Sequence, residues 1–171
     1  MWMSEIPTFL PFFIGALAAF FTKGHLRSVL MLSIITISGV HLWLLPAEGL
    51  QVHLKFMDYE LMPYRVDDLS RVFGYVFHIA AFISVLFALH IRDTTQHVSG
   101  MLYAGSAVGA VFAGDLLTLF VFWELLAVTS VFLIWARRTE QAYQAGMRYL
   151  IIQVLSGVIL LAGVLVHVSR T

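Results

Sequence analysis

The chain has 171 residues, of which 60% are hydrophobic and 12% are charged, and its mean hydropathy is +0.90. Soluble domains usually carry about 25% charged residues, so too few polar side chains remain here to cover a soluble core. The net charge of zero removes the electrostatic basis for binding nucleic acid. The absence of cysteine excludes disulfides, thiolate metal sites and cysteine-ligated iron–sulfur clusters. These properties predict an integral membrane protein.

Apolar runs long enough to cross a hydrocarbon layer of about 30 Å recur along the chain. They predict an all-α, polytopic bundle of about six transmembrane helices in a single domain, residues 1–171. The predicted helices are residues 6–22, 28–45, 69–89, 97–113, 116–136 and 142–168. Because no basic region precedes the first run, it does not resemble a cleaved signal peptide, and we expect the first helix to be retained.

The segment between the second and third predicted helices, residues 46–68, carries five acidic and two basic side chains. Apolar residues alternate in part of it, at Leu50, Val52, Leu54 and Phe56, which indicates a strand or hairpin. We therefore expect this short segment to lie outside the membrane.

The distribution of lysine and arginine predicts the orientation of the chain. The loops after the first, third and fifth helices are short and basic, with Lys23, Arg27, Arg92, Arg137 and Arg138. The basic residues on the other side mostly lie beside acids; they are Lys55, Arg65, Arg71 and Arg170. The short loops are thus predicted to be cytoplasmic and both termini to face outward, in a bacterial inner membrane.

One acid, Glu124, lies near the middle of the run GDLLTLFVFWELLAVTSVFLIW. It is about 12 Å from the nearer end of the predicted helix, too deep to reach water easily. An acid at this depth costs at least about 2.5 kcal/mol and usually marks a functional site. The alternative is an acid kept neutral by a neighbouring hydroxyl, for which Thr118, Thr129 and Ser130 are the candidates.

A buried carboxylate needs a cation, and Arg148, two turns into the sixth helix, is the best candidate, with Arg71 less suitable. The alternative for Arg148 is a side chain that extends along the helix to the interface. His78 and His41, in the third and second helices, are candidates for a proton relay or for simple hydrogen-bonded histidines.

Asp115 precedes the fifth helix and is predicted to be its structural N-cap, since its oxygens can accept bonds from unpaired backbone N–H groups. The chain has no nucleotide-binding glycine motif and no convincing metal-ligand spacing. We therefore predict no catalytic residue, no metal and no cofactor, and a protein that is not itself an enzyme.

Two segments carry a family resemblance: GDLLTLFVFWELLAVTSVFLIW and AGMRYLIIQVLSGVILLAGVLV. They resemble the proton-antiporter-like membrane subunits, with Asp67-Asp68-Leu69-Ser70 similar to the family's entry to its third helix. The family includes the D-type component of Mrp multisubunit Na+/H+ antiporters, which the chain resembles most, and the antiporter-like subunits of complex I and membrane-bound hydrogenases. The resemblance covers residues 67–168.

The resemblance implies that Glu124 corresponds to the family's helix-five glutamate, which pairs with a buried lysine and takes part in proton translocation. Arg148 falls where the family usually has lysine before tyrosine; arginine keeps the charge but hardly deprotonates. The two lysines here, Lys23 and Lys55, lie outside the predicted spans. The family's other buried lysines lie in later helices, so we expect an amino-terminal part, a split half or a truncated paralogue.

The expected function is that of a membrane subunit in a multisubunit cation/proton antiporter, to which Glu124 contributes proton translocation. The expected partners are other membrane subunits, a separate chain that carries the later helices, and the lipid bilayer, with no nucleic acid. Two alternatives stay open. One is an antiporter-like subunit of a respiratory quinone oxidoreductase or hydrogenase complex, and the other is a membrane scaffold without its own proton path.

Overall fold

The structure, a computed structural model, describes residues 6–45, 50–56 and 59–169, and within them the chain is a helical bundle with one β-hairpin. The fold class predicted from the sequence is confirmed. The elements are α1 (Leu10–Phe21), α2 (Gly24–Leu44), β1 (Gln51–Phe56), β2 (Tyr59–Arg65), α3 (Asp68–Phe87), α4 (Thr94–Phe112), α5 (Leu116–Trp135) and α6 (Glu140–Val168). A short 3₁₀ turn, Ala88–His90, continues α3.

The helix boundaries agree best with the predicted ones where a capping side chain is present, and least in α1 and α2. The capping side chains Asp67, Asp93, Asp115 and Thr139 each accept a bond from the first turn of the helix that follows. By contrast, α1 begins at Leu10, four residues later than predicted, and places Pro11 in its first turn. α2 starts at Gly24, four residues earlier than predicted, and it therefore includes Arg27 of the predicted basic loop.

Four helices within the described residues are long and apolar enough to cross a membrane: α2, α3 with its 3₁₀ turn, α5 and α6. At 12 residues, α1 is only about 18 Å long. α4 has a more polar composition than these four helices. Its position allows this, because it packs against α1, α3 and α5 and therefore contacts little lipid. Membrane crossing by all six helices stays a prediction.

The first four helices pack in a ring, in which α1 contacts α2, α2 contacts α3, α3 contacts α4 and α4 contacts α1. Buried apolar side chains of these helices and of β2 form the core, among them Phe12, Met31, Leu42, Tyr64 and Phe112. α5 packs on the outside of α4, and α6 packs mainly on α5. At this side of the bundle the helices α4, α5 and α6 therefore follow one another outward from the four-helix ring.

Close packing of α1 and α5 against α4 depends on two glycines one turn apart on α4. A Cβ atom at Gly105 would lie 2.8 Å from Cβ of Phe12 in α1, and one at Gly109 would overlap the ring of Phe122 in α5. Small residues allow this approach between helices in lipid. α4 therefore contacts α1 and α5 at short range, because it has glycines and no larger side chains of its own at these two positions.

The predicted hairpin is present, and it pairs β1 with β2 in antiparallel register, with Gln51 opposite Arg65 and Lys55 opposite Glu60. It covers the end of the bundle where α4 meets α5. There the backbone N–H of Gly114 donates to the Met62 carbonyl oxygen at 2.9 Å, and the Met62 N–H donates to Asp115 Oδ2 at 2.7 Å.

Asp115 holds three groups at once, because it also accepts from the backbone N–H and the hydroxyl of Thr118 at 2.8 and 2.6 Å. Burial alone would raise the pKa of Asp115, but hydrogen bonds from Thr118, Met62 and Leu117 outweigh it, and its pKa lies below the ordinary value. The carboxylate thus caps α5 and ties the hairpin to it.

The loops at the opposite end of the bundle lie together. Arg138 Nη2 is 3.2 Å from Asp93 Oδ1, which joins the loop before α6 to the loop before α4. Arg27 in the first turn of α2 donates to the Thr94 hydroxyl at 2.8 Å and to the Thr22 carbonyl oxygen. The basic loops therefore share one end, and the hairpin is at the other.

We expect this separation of ends to coincide with the two sides of the membrane. Because the native chain has no cysteine, single cysteines at Arg138 and Lys55 can be labelled without background. We expect a membrane-impermeant maleimide to label Arg138→Cys only from the cytoplasmic side and Lys55→Cys only from outside. Labelling of Arg138→Cys from outside alone would reverse the orientation.

We expect Asp115→Ala to destabilise the purified chain by about 1–2 kcal/mol at neutral pH, since it removes a cap and an anchor for the hairpin. Because the pKa of Asp115 is lowered on folding, its contribution is present above about pH 4 and is lost as the pH falls further. The measurement is thermal unfolding in detergent near pH 7 and near pH 3.

The matched control for this change is Asp68→Ala, at an exposed acid in the first turn of α3. It should have a smaller effect, because it is neither the capping residue of α3 nor the anchor of the hairpin. Equal unfolding temperatures for wild type and Asp115→Ala at neutral pH would contradict the anchoring role.

Candidate functional site at the α5–α6 interface

The interface of α5 and α6 is antiparallel and has three levels. At one end, a Cβ atom at Gly146 would overlap the Trp135 indole. In the middle, the Ser130 hydroxyl lies 3.0 Å from the hydroxyl of Tyr149. At the third level, a Cβ atom at Gly157 would occupy the position of Glu124 Oε1. The carboxylate of Glu124 thus lies directly against the backbone of α6.

Glu124 Oε1 is buried and has no hydrogen-bond partner among the described residues. A buried polar oxygen without a partner typically costs about 1–3 kcal/mol, more for a charged group. This cost falls if the oxygen receives a proton, a water molecule or a cation. The site is therefore chemically incomplete at Oε1, in the middle of an apolar helix.

The hydroxyl groups that could have kept Glu124 neutral donate elsewhere. Thr118 donates to Asp115 at 2.6 Å, and Thr129 donates to the Leu125 carbonyl oxygen at 2.7 Å. Ser130 donates to the carbonyl oxygen of Ala127 at 2.7 Å. The structure therefore gives no support to the interpretation of Glu124 as an acid satisfied by a hydroxyl of its own helix.

Arg148 does not pair with Glu124 in this structure. Among the ion pairs of the described residues, Arg65–Asp67 and Arg138–Asp93, neither includes these two side chains. Arg148 is exposed and lies nine residues before Gly157, which is about 13.5 Å along α6 and half a turn around it. Arg148 therefore lies on the face away from α5, and its role as a charge partner stays a prediction.

The two histidines predicted as relay candidates lie in α2 and α3 of the four-helix ring, whereas α5 packs on the outside of α4. His78 is buried and contacts the Gly74 carbonyl oxygen and the Ser38 hydroxyl. His41 lies 2.9 Å from the carbonyl oxygen of Ile6. Neither histidine hydrogen-bonds to Glu124, so the structure shows no continuous hydrogen-bonded path that links His78, His41 and Glu124.

Gly157 is the residue of this site that the sequence analysis missed. A signal was available: Ala142, Gly146 and Gly157 are small and repeat at a spacing that places them on one face of α6, and all three are buried. Such a face indicates a helix contact. It could not identify Glu124 as the group in contact, because that depends on how α5 and α6 are aligned.

Known proteins match the segment that contains α5 and α6, and they match the fold. Residues 113–170, which contain α5 and α6, match the family described as "NADH:quinone oxidoreductase/Mrp antiporter, TM". A chain in the structure of the Mrp complex from Dietzia sp. DQ12-45-1b superposes with a TM-score of 0.77 at 24% identity, over 91% of this chain and 18% of that chain. The α5–α6 segment is thus similar to this antiporter family, and the fold is similar to that of a chain in an Mrp complex.

Two further proteins are similar to this antiporter-like chain. A chain of the membrane-bound sulfane sulfur reductase, an archaeal respiratory membrane complex, has a TM-score of 0.85 at 18% identity, over 98% of this chain and 28% of that chain. The uncharacterized protein MJ1309 of Methanocaldococcus jannaschii is 32% identical over 66 residues, 39% of this chain. The antiporter-like chain spans only 14% of that relative's length.

We expect Gly157→Ala to destabilise the antiporter-like chain by about 1–3 kcal/mol, because the new methyl group would displace the Glu124 carboxylate. Gly163→Ala is the matched control on the same helix, since a Cβ atom there meets nothing within 4 Å. Its stability should stay within about 0.5 kcal/mol of wild type or rise slightly. Thermal unfolding in detergent measures both, and equal effects at the two glycines would contradict the contact.

Proposed function

We propose that this chain is part of an ion-translocating membrane protein and that Glu124 carries a proton at the α5–α6 interface. The observation that carries the proposal is the buried Oε1 atom without a hydrogen-bond partner among the described residues. It lies in the segment that matches the antiporter family, residues 113–170. An ionisable group inside a membrane helix is by default a functional one.

The chemistry follows from the surroundings of the carboxylate. Protonation removes the charge of Glu124 and gives it an O–H donor, and release of the proton restores two acceptor oxygens. Each state favours a different partner, so a water molecule or a cation that approaches Oε1 can exchange with the proton. In this proposal Gly157 provides the space that the Glu124 carboxylate itself occupies.

Arg148 acts in this proposal at a distance of more than one helical turn, since it makes no ion pair with Glu124 among the described residues. It sets the local potential without carrying a proton, because its guanidinium stays charged. Lys23 and Lys55 lie outside the candidate spans. A lysine partner for Glu124 would have to come from another chain or segment.

The favoured assembly is a multisubunit cation/proton antiporter, in which this chain resembles the D-type component and contacts other membrane subunits. The family match of residues 113–170 and the fold of the Mrp complex chain support this assignment. The favoured location is a bacterial inner membrane, with the hairpin outside. Exchange of sodium would make Glu124 respond to sodium concentration as well as to pH.

A respiratory complex is the second candidate, favoured by the fold match to the sulfane sulfur reductase chain over 98% of this sequence. Any redox chemistry would then occur on partner subunits. A scaffold role is the third candidate, and the placement of Arg148 away from Glu124 favours it. The three candidates differ in what they require of the Glu124 charge.

We expect Glu124→Gln to lower coupled proton movement about tenfold or more in the assembled complex, because an amide of the same shape cannot bind and release a proton. Glu124→Asp keeps the charge but reaches about 1.5 Å less far, so partial activity is expected. The measurement is proton and cation flux in membrane vesicles, with complex abundance determined in parallel.

Glu140→Gln is the matched control, since Glu140 is an exposed glutamate at the start of α6 whose side chain accepts a hydrogen bond from Gln144. Its flux should equal that of wild type. Normal flux at normal abundance in Glu124→Gln would reject the proton-carrying role and favour the scaffold, since a neutral side chain is cheaper to bury.

A further inference from the structure

A second group of buried polar atoms lies inside the ring of α1–α4. The side chain of His78 is 5% exposed, and Ser38 and Thr8 are fully buried. His78 Nδ1 lies 2.7 Å from the carbonyl oxygen of Gly74, and Nε2 lies 2.9 Å from Ser38 Oγ. Ser38 Oγ lies 2.6 Å from the carbonyl oxygen of Thr8. Three hydrogen-bond contacts thus follow one another between two backbone carbonyl groups.

These three contacts need more protons than the neutral groups possess. The carbonyl oxygens of Gly74 and Thr8 can only accept, so every proton must come from His78 or Ser38. A serine hydroxyl has one proton and a neutral imidazole has one, which makes two protons for three contacts. Whichever ring nitrogen holds the proton, one contact is left between two acceptors. A second proton on the imidazole ring completes all three bonds.

The immediate surroundings keep water away from the ring. The ring of Phe12 meets His78 edge to face at a centroid distance of 5.2 Å. Gly39 of α2 also lies close to the ring, so that a Cβ atom there would be 3.7 Å from the imidazole Cδ2. No carboxylate hydrogen-bonds to His78 or Ser38 anywhere in the described ranges.

The ionisable groups that face this site come from its own helix and its neighbours. Arg71 lies two turns earlier on α3 and contacts the Leu45 carbonyl oxygen. The Tyr64 hydroxyl in β2 donates to Thr8 Oγ1 at 3.3 Å. His41 lies one turn further along α2 than Ser38.

The remaining neighbours contribute little charge. α1 has no ionisable residue, and His97 in α4 contacts the Ile91 carbonyl oxygen at the far end of the bundle. The balance at His78 is therefore between desolvation, which disfavours an added proton, and the unfilled hydrogen bond, which favours it.

We propose that His78 and Ser38 form a buried proton-binding site, in which an added proton completes the bonds between the Gly74 and Thr8 carbonyl groups. The ligand is a proton, and Ser38 is the group that makes its binding favourable. The opposing effects of burial and hydrogen bonding allow uptake and release. The site is separate from Glu124, and its proton binding does not depend on the function proposed above.

The test uses the full chain in lipid nanodiscs, labelled with ¹⁵N-histidine, and follows the ring nitrogens by NMR from about pH 5 to pH 9, on both sides of the ordinary histidine pKa of about 6.5. The His78 signal is assigned by its loss in His78→Gln. In Ser38→Ala only one contact of the ring remains, and it needs only one proton. Wild-type His78 should therefore bind its second proton about tenfold or more tightly than His78 in Ser38→Ala.

Ser33→Ala is the matched control, because Ser33 is an exposed serine on the same helix; its His78 should titrate as in wild type. If Ser38→Ala does not fold, Ser38→Cys replaces it, since a thiol is a weak donor and acceptor of nearly the same size. Equal proton affinity of His78 in wild type and in the Ser38 variant, or a wild-type ring with a single N–H throughout, would overturn the proposal. Because the readout is the ring itself, a failure of Glu124 to carry protons would not affect it.

Discussion

The packing of this bundle depends on how closely α1 and α5 approach α4. Phe12 and Phe122 contact one face of α4 at Gly105 and Gly109, one helical turn apart, where any larger side chain would hold the helices apart. In lipid, such contacts replace the hydrophobic drive that packs helices in water. If α5 stood farther from α4, the hairpin could not reach Asp115, and α6 would be displaced with α5. The position of Glu124 is thus set indirectly by two glycines on the neighbouring helix.

Several hydroxyl groups inside the bundle bond to the backbone of their own helix, and two sites contrast with them. The hydroxyls of Thr22, Ser106 and Thr129 each donate to a carbonyl oxygen of their own helix, as lipid surroundings require. Glu124 has an acceptor oxygen without a donor, and the His78–Ser38 pair has one donor too few for its acceptors. At both sites the deficiency can be relieved by an added proton without another side chain. In an antiporter-like protein, we regard that shared deficiency as the most informative feature of the interior.

The sequence predicted the elements well because their signals are local. Apolar runs, the basic loops and the capping side chains such as Asp115 are read over a few residues, and all six helices and the hairpin are found within a few residues of the predicted bounds. α1 was predicted too long, since residues 6–9 are mostly apolar but, before Pro11, form turns instead of helix. The apolar pattern alone does not separate these two conformations.

The site was harder to predict because it depends on which residues face each other across two helices. Charge balance favoured Arg148 as the partner of Glu124, yet the rotation of α6 places Gly157 there instead. Similarly, His78 was predicted as a relay candidate or a simple hydrogen-bonded histidine, but its contact with Ser38 depends on the alignment of α2 and α3, which no local pattern encodes.

The single-sided attachment of α6 has a consequence for how the protein is made. Helices enter the membrane in chain order, and α1 to α5 can complete their mutual contacts before α6 packs against α5. During that interval Glu124 borders lipid or the insertion machinery instead of Gly157. When α6 packs against α5, it therefore buries the Glu124 carboxylate. An intermediate without α6 in place exposes this carboxylate, which membrane quality-control proteases could recognise as a sign of incomplete assembly.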